Sequence, residues 1–275
     1  MSTRIAIQGI KGSFHHQVVQ EYFNEKTEVV ECMSFEALTQ AVLQRKAAQA
    51  VMAIENSIAG SILPNYALIA NNHLHITGEH YLNVHHHLMA LAGQQIAAIK
   101  EVHSHPMALL QCTEFFMRYP HIRLVEDADT AATAKRIREK QLKGIGAIAG
   151  KAAADLYRLS VLASEIQTIK NNATRFVIVA PENGALPEAE INKASLKFEL
   201  EHKRGSLAAV LNVMSDCSLN LTKIQSLPKI ETPWKYAFFV DVTFEAYEDY
   251  EKATRLLAIM ADHFKILGEY KNALV

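Results

Sequence analysis

The sequence is poor in cysteine and carries no excess of charge of either sign. Its three cysteines, Cys32, Cys112 and Cys217, lie far apart and show no CxxC spacing. We therefore expect no disulfide framework and predict a reducing cytoplasm as the compartment. The 28 Lys and Arg residues nearly cancel the 29 Asp and Glu residues, which leaves a formal net charge of −1. This balance argues against a nucleic-acid partner bound through a broad basic face.

Long apolar runs are also missing. No run approaches the roughly 18 apolar residues that a transmembrane helix needs, so no membrane partner is expected. Residues 1–7 pass directly into a strand-like alternation and lack the apolar core of a signal peptide. With 275 residues, 49% of them hydrophobic, the chain is long and apolar enough for about two globular domains.

The first two thirds of the chain alternate short apolar runs with amphipathic stretches. The runs predict strands at 5–7, 29–32, 51–54, 122–125, 145–149 and 175–179. The amphipathic stretches predict helices at 12–23, 34–43, 61–71, 106–118, 130–138 and 151–157. Two extended segments, 76–81 and 84–91, interrupt this rhythm. We expect two α/β lobes with mostly parallel sheets, joined by extended crossovers, with a ligand cleft between them.

The last third has a different order. Residues 181–193 contain two prolines and a glycine with few large apolar residues, which is typical of a linker. The pattern after it predicts strands at 194–200, 219–226, 236–243 and 264–270, with helices at 206–214 and 247–261. This βαββαβ order is typical of a ferredoxin-like fold.

Two candidate segments follow predicted strands of the first lobe. The turn Gly9–Gly12 precedes a helix, so it is either a tight turn or a backbone contact to an anion. It is not the dinucleotide fingerprint, which needs three glycines. Residues Glu55-Asn56-Ser57, with Gly60, are either a helix-capping loop or a group of donors facing the cleft.

Three further segments carry polar side chains. Ser104 and His105 are adjacent and no GxSxG elbow is present, so a serine hydrolase is not favoured over a helix cap or an anion contact. Arg175 is either a carboxylate partner or a surface arginine. In His85–His87, strand alternation separates the middle histidine from its neighbours, and no zinc-ligand spacing accompanies them. We therefore favour structural histidines and predict no metal.

Taken in order, these segments resemble the prephenate dehydratase family over nearly the whole chain. The segments that carry the resemblance are the Gly9–Gly12 turn, Glu55-Asn56-Ser57 with Gly60, Ser104-His105-Pro106 with Gln111-Cys112, Asp129-Thr130-Ala131, Ile148-Ala149 running into 153–159, and Asn172-Ala173-Thr174-Arg175-Phe176. The Thr-Arg-Phe sequence is the most diagnostic of them. The C-terminal part resembles the ACT regulatory domain of the same family.

The resemblance implies an α/β fold, with a two-lobed periplasmic-binding-protein-like catalytic domain followed by a ferredoxin-like βαββαβ ACT domain. The implied boundaries are a catalytic domain at 1–180, a linker at 181–193 and the ACT domain at 194–275. Within the catalytic domain, lobe one would span about 1–78 plus the last strand near 175–180, and lobe two about 79–170.

The resemblance also implies a lyase of L-phenylalanine biosynthesis. Its small-molecule substrate, prephenate, loses CO₂ and hydroxide in one elimination and becomes phenylpyruvate. Aromatisation of the ring drives this reaction, so no cofactor is expected. The implied catalytic residue is Thr174, beside the departing hydroxyl. The implied substrate-binding residues are Arg175, Phe176, Asn172, Asn56, Ser57, Ser104, His105, Gln111 and Gly12.

The implied effector is L-phenylalanine, but its segment departs from the family pattern. Where the family has Glu-Ser-Arg-Pro, this chain has Gln225-Ser226-Leu227-Pro228, so an acid and a base have been lost together. The implied allosteric residues are Gly205, Ser206, Leu207, Ala208, Asn220, Leu221, Gln225, Ser226 and Pro228. Either phenylalanine still binds with altered affinity, or the domain serves assembly or reads another amino acid.

Other functions and the assembly state are also implied. ACT domains commonly pair side by side, so a homodimer or a dimer of dimers is expected. Arogenate dehydratase is the alternative enzyme. A non-catalytic amino-acid sensor is the alternative class, and the intact Thr174-Arg175-Phe176 argues against it. Chorismate mutase activity is not expected, because no long helical segment precedes Arg4.

Overall fold

The computed structural model describes residues 4–182, 186–228 and 236–274. The strands in these ranges are β1 (Ile5–Gln8), β2 (Val29–Cys32), β3 (Gln49–Asn56), β4 (Gly60–Ser61), β5 (His75–Asn83), β6 (His87–Ala90), β7 (Glu101–Ser104), β8 (Arg123–Glu126), β9 (Ile145–Ala149), β10 (Ser160–Ala163), β11 (Ala173–Ala180), β12 (Lys193–Glu199), β13 (Asn220–Pro228), β14 (Tyr236–Thr243) and β15 (Asp262–Tyr270). The α-helices are α1 (Phe14–Tyr22), α2 (Phe35–Leu43), α3 (Leu63–Asn71), α4 (Pro106–Gln111), α5 (Thr113–Phe116), α6 (Thr130–Glu139), α7 (Lys151–Tyr157), α8 (Ser206–Asp216) and α9 (Tyr247–Met260).

The chain forms two compact units. Unit 1 comprises residues 1–61 and 81–176, and unit 2 comprises residues 62–80 and 177–275. The backbone passes between the units three times, directly after β4, inside β5 and inside β11, so none of the crossings is a free linker. The predicted domain boundaries at 180 and 194 follow the order of elements, whereas these units follow contacts, and the two divisions assign 62–80 differently.

Unit 1 contains two sheets, as the alternating pattern predicts. In the first sheet, β1 lies between β2 and β3 and is parallel to both. The second sheet has the order β10-β6-β9-β7-β8, in which β7 is parallel to β8 and β9. The strands β6 and β10 are antiparallel to their neighbours, so this sheet is mixed rather than mostly parallel.

Local signals explain most of the element boundaries in unit 1. The Ser34 side chain accepts a hydrogen bond from the backbone N–H of Ala37 at 3.1 Å and so begins α2, where the cap pattern predicts it. The helix predicted at 106–118 is wrong in extent, because it is interrupted at Cys112 between α4 and α5. The strand β10 was not predicted, since its four residues carry no clear alternation.

Unit 2 contains the predicted βαββαβ order, which runs from β12 to β15. Within unit 2 the strands are ordered β13-β14-β12-β15-β5, and β12 is antiparallel to both of its neighbours. The helices α8 and α9 bury their apolar residues with one face of this sheet, which includes Leu196, Phe198 and Val240. These observations confirm the ferredoxin-like pattern.

The opposite face of the unit 2 sheet meets α3. Strand alternation turns Phe239 away from Val240, and the Tyr66 ring of α3 lies edge-on to Phe239 at 5.3 Å between ring centroids. The ammonium of Lys223 lies 5.6 Å from the same tyrosine ring. Residues 62–80 therefore pack with the C-terminal elements, although more than 100 residues separate them in sequence.

A buried ion pair lies at the same part of unit 2. The Nζ atom of Lys193 is 2.8 and 2.9 Å from the two carboxylate oxygens of Glu79, and both side chains are almost completely buried. The backbone N–H of Ala273 donates to the same carboxylate at 3.1 Å. Lys193, predicted as the last linker residue, is thus the first residue of β12 and a structural partner of β5.

Candidate functional site

A hydrogen-bonded group of amides and hydroxyls lies at the end of β3 and the start of β11 in unit 1, beside the segments around residues 84 and 172 that connect the two sheets. The hairpin between β3 and β4 turns from Asn56 to Gly60, and Gly60 adopts φ +81, which glycine tolerates without strain. The Oδ1 atom of Asn56 accepts the backbone N–H groups of Ile58 and Ala59 at 3.0 and 2.9 Å. This arrangement fixes the amide plane and points its Nδ2 away from the turn.

The Nδ2 group of Asn56 connects the hairpin to β11. It donates to the Oγ1 atom of Thr174 at 2.9 Å and to the Oδ1 atom of Asn172 at 2.7 Å. Thr174 lies at the start of β11 and is buried. Among the described residues, its hydroxyl accepts from Asn56 and donates to no protein group, so its proton is available to a bound molecule.

Asn172 and Gln111 extend this group toward the second sheet. Asn172 is completely buried, and its Nδ2 donates to the Oε1 atom of Gln111 at 3.1 Å. Its backbone carbonyl accepts from the N–H of Val84 at 2.6 Å, which joins the two crossover segments. Because Asn172 is enclosed, it holds its neighbours in place, and the direct substrate contact predicted for it is not what this geometry favours.

Ser57 holds the first residue of β11. Its N–H donates to the carbonyl of Ala173 at 2.8 Å, and its Oγ accepts from the Ala173 N–H at 3.0 Å. The hairpin therefore grips the residue directly before Thr174 on both backbone groups. Ser57 itself is exposed, so it remains a candidate substrate contact.

The two residues after Thr174 are more enclosed than predicted. Strand alternation turns Arg175 to the face opposite Thr174, and its side chain is buried. Phe176 is 2% exposed, and its ring meets the His15 ring edge-on at 5.0 Å. Phe176 thus contributes to the core behind Thr174 and offers no surface to a substrate.

Two other predicted site residues are committed to packing. Gly12 has φ +91, and a Cβ atom there would lie 3.2 Å from the Cα of Ala153 in α7. Its N–H donates to the Nδ1 atom of His16 at 3.2 Å, so the turn is explained by packing and not by an anion. Ser104 is fully buried, and its Oγ donates to the carbonyl of Ile148 at 2.7 Å.

His105, predicted to bind substrate, lies at the surface as a helix cap, whereas His86, predicted to be structural, contacts the predicted site residue Gln111. His105 is the exposed N-cap of α4, and its Nδ1 accepts the N–H of Met107 at 3.2 Å. His86 was predicted only as a structural histidine, yet its Nε2 lies 2.9 Å from the Oε1 atom of Gln111. Burial lowers the pKa of His86 to about 4. The only sequence signal for it is that it alternates out of phase with His85 and His87.

The predicted effector residues lie on α8 and β13 of unit 2. Gly205 caps α8 with φ +83, and Ser206 and Leu207 line a cavity of about 130 Å³ that also touches Phe238. On β13, the amide of Gln225 donates to the carbonyl of Ser226 at 3.0 Å. Four other predicted effector residues, Ala208, Asn220, Leu221 and Pro228, lie on the same two elements.

The described residues show neither a metal-binding cluster nor a membrane-spanning helix. No group of three His, Cys, Asp or Glu side chains at residues 4–182, 186–228 or 236–274 is placed to hold a metal ion. In the same residues, no helix has both the length and the apolar character to cross a membrane.

Unit 1 carries two sheets and the hydrogen-bonded group around Thr174, and unit 2 has the ferredoxin-like order of elements. This is the architecture of a two-domain α/β enzyme. Residues 5–184 match the family described as prephenate dehydratase. The arogenate dehydratase/prephenate dehydratase 2 of Arabidopsis thaliana is 36% identical, covering 97% of this chain and 72% of that protein.

Two solved structures are similar along the whole chain. One, described as a novel type of quorum-quenching acylase, has a TM-score of 0.88 and 27% identity, and the match covers 98% of this chain and 99% of that one. The prephenate dehydratase of Arthrobacter aurescens in complex with L-Phe also has a TM-score of 0.88, at 24% identity, and the match covers 98% and 90%. The chain belongs to the prephenate dehydratase family, and the predicted dehydratase class is confirmed.

Proposed function

We propose that the protein converts prephenate to phenylpyruvate, CO₂ and water. The observation that carries this proposal is the Thr174 hydroxyl, which accepts from Asn56 and, within the described residues, donates to no protein group. A buried hydroxyl with a free proton beside polar amides suits a substrate whose own hydroxyl must depart. Positioned proton donation of this kind contributes about 10²–10⁴-fold to a rate.

In the proposed step, the bond to the ring carboxylate breaks and its electron pair enters the ring as CO₂ leaves. The bond to the ring hydroxyl breaks in the same elimination, and the departing oxygen accepts a hydrogen bond from Thr174. Hydroxide takes up a proton from the solvent to become water, and the ring becomes aromatic. Thr174 is a weak acid, so we assign it hydrogen-bond stabilisation, with orientation and preorganised dipoles supplying the rest.

The substrate's carboxylates need donors that the protein has not already used. The Nε2 group of Gln111 has no partner among the described residues. Ser57 is exposed next to Thr174, and its hydroxyl donates at the long distance of 3.4 Å to the carbonyl of Asn171, a bond that a carboxylate can replace. We assign these two groups to substrate binding, with Arg175 as a buried positive charge behind β11. The protein's net charge of −1 gives no general attraction, so capture of the dianion depends on such local groups.

The test is an assay of the purified full chain with prephenate, in which phenylpyruvate is followed by its absorbance. Parallel arms use arogenate and an N-acyl homoserine lactone. Arogenate is included because a 36% identical relative has a name that covers both dehydratase activities, and the lactone because a structural neighbour is described as a quorum-quenching acylase. Turnover of prephenate above both alternatives is the expected result, and a preference for either alternative would replace the proposal.

We further propose that L-phenylalanine binds at α8 and β13 and that the protein is a homodimer or a dimer of dimers. Support comes from the ferredoxin-like unit and from the small cavity beside Ser206, whose apolar wall includes Leu207 and Phe238. Titration calorimetry should give heat with phenylalanine and none with D-phenylalanine, and the absence of heat at millimolar ligand would reject the effector. Light scattering would give the assembly state, and a monomeric mass would reject that proposal.

A further inference from the structure

The backbone and the ring of His86 are both fixed by contacts at the start of the second sheet. It directly precedes β6, and its backbone N–H donates to the Oε1 atom of Gln167 at 3.0 Å. Its carbonyl accepts from the N–H of Ile166 at 2.8 Å. The ring is edge-on to Phe14 at 5.7 Å, and its Nε2 lies 2.9 Å from the Oε1 atom of Gln111. Since both backbone groups are fixed, the imidazole presents this one nitrogen to Gln111.

The direction of each hydrogen bond in the group can be worked out from the Asn56 turn. The backbone N–H groups of Ile58 and Ala59 can only donate, so the Asn56 atom that they meet is its oxygen. Its Nδ2 must then donate to the Oδ1 atom of Asn172. The Nδ2 of Asn172 must in turn donate to Gln111, which fixes the contacted Gln111 atom as its oxygen.

The same reasoning fixes the tautomer of His86. The Oε1 atom of Gln111 has no proton to give, so the Nε2 of His86 carries the proton and donates it. Its Nδ1 is then an unprotonated nitrogen, buried and without a hydrogen-bond partner in the described part of the chain. Burial also lowers the pKa of His86 to about 4, so the ring is neutral at neutral pH.

We propose that His86 is a positioning residue that sets which end of the Gln111 amide faces the substrate. Two donors, from His86 and Asn172, hold the Oε1 atom, and this leaves the Nε2 donor pair for a substrate carboxylate. Without the histidine donor, Asn172 alone holds the Oε1 atom, so the amide is fixed less firmly and binds an anion less tightly. This inference rests on the substrate-binding role proposed above for Gln111.

The first experiment compares His86→Leu with His86→Gln in the full-length protein. Leucine removes the donor, whereas glutamine can place an amide N–H near the position of the imidazole Nε2. His86→Leu should raise KM for prephenate about tenfold with a smaller change in kcat, which is the size expected for one lost hydrogen bond. His86→Gln should recover most of that loss. The neighbouring substitution His85→Leu, at a partly exposed side chain, should leave KM unchanged.

A double-mutant cycle with Gln111→Leu separates positioning from general destabilisation. If His86 acts through Gln111, His86→Leu adds little to KM once Gln111 is leucine. Additive effects of the two substitutions, or an equal loss in the glutamine variant, would overturn the proposal.

A measurement on the unmodified protein covers the case in which the variants do not fold. The imidazole ¹⁵N shifts of His86 should report a neutral ring protonated at Nε2 at pH 7, and protonation at Nδ1 would overturn the proposal. This readout needs no substrate. If the protein does not turn over prephenate but the Nε2–H tautomer is present, the proposed substrate is wrong while the geometry of His86 stands.

Discussion

Asn56 donates a hydrogen bond to the oxygen of Thr174 at 2.9 Å, and its amide is locked in that orientation by two backbone N–H groups of its own turn. The hydroxyl oxygen of Thr174 is thereby committed as an acceptor. A hydroxyl that accepts a hydrogen bond becomes a better donor, because each bond in such a chain polarises the next. The reactivity assigned to Thr174 therefore depends on a residue 118 positions earlier in the chain.

Thr174→Val should remove the donor with little change in shape. We expect kcat for prephenate to fall at least about 100-fold, with little change in KM, because the hydrogen bond is made to the departing group. Thr174→Ser retains a hydroxyl at the same position and should keep most of kcat. Steady-state kinetics of the two variants make the comparison, and a valine variant with near-normal kcat would remove Thr174 from the mechanism.

Asn56→Asp should be nearly as damaging. The new carboxylate can still accept from Ile58 and Ala59, but its second oxygen would face the Oδ1 atom of Asn172 without a proton to donate. Thr174 would then donate toward the carboxylate, so we expect kcat to fall about 100-fold. The exposed substitution Asn24→Asp is the matched control, and similar kinetics for both variants would argue against the predicted role.

Two buried histidines should make the protein less stable in acid. Burial lowers the pKa of His15 to about 3 and that of His86 to about 4. Below pH 6.5 the unfolded chain binds protons that the folded protein does not. Each group then lowers the free energy of unfolding by about 1.4 kcal/mol per pH unit until its folded pKa is reached.

The slope is measured by urea unfolding between pH 7.5 and 5. In His15→Phe, whose new ring would lie between Phe35 and Phe176, the slope should decrease by about one proton. His121→Phe, at an exposed site, should leave the slope unchanged. Identical slopes in all three proteins would show that His15 does not titrate as its burial predicts.

The Lys193–Glu79 ion pair should show strong coupling. Glu79→Leu or Lys193→Met leaves one buried charge without this partner, at a cost of about 3–5 kcal/mol. The double variant leaves neither charge, so it should be more stable than either single variant. The exposed pair Lys151–Asp155 is the control, and breaking it should cost under about 1 kcal/mol. Additive losses at Lys193 and Glu79 in denaturant unfolding would contradict this expectation.

The extent to which the sequence predicts the structure depends on how local the signals are. Helix α2 begins where Ser34 predicts, because a cap is formed within three residues. The relation between His86 and Gln111 could not be predicted, since 25 residues separate them and His86 lies outside the segments that carry the resemblance. Phe176 and Asn172 belong to the diagnostic segment, yet their burial depends on packing that the sequence does not display.

The packing of α3 limits how this protein can be taken apart. Cutting after residue 180 would leave Tyr66 without Phe239 and Glu79 without Lys193, so the remaining fragment would expose an apolar helix face and lose the lysine of a buried ion pair. A C-terminal unit taken from a relative would have to include residues 62–80 to fit. The hairpin that carries Asn56 ends at Ser61, the last residue before that segment. Exchange of the C-terminal elements would therefore also replace the stretch of chain next to the Asn56 turn.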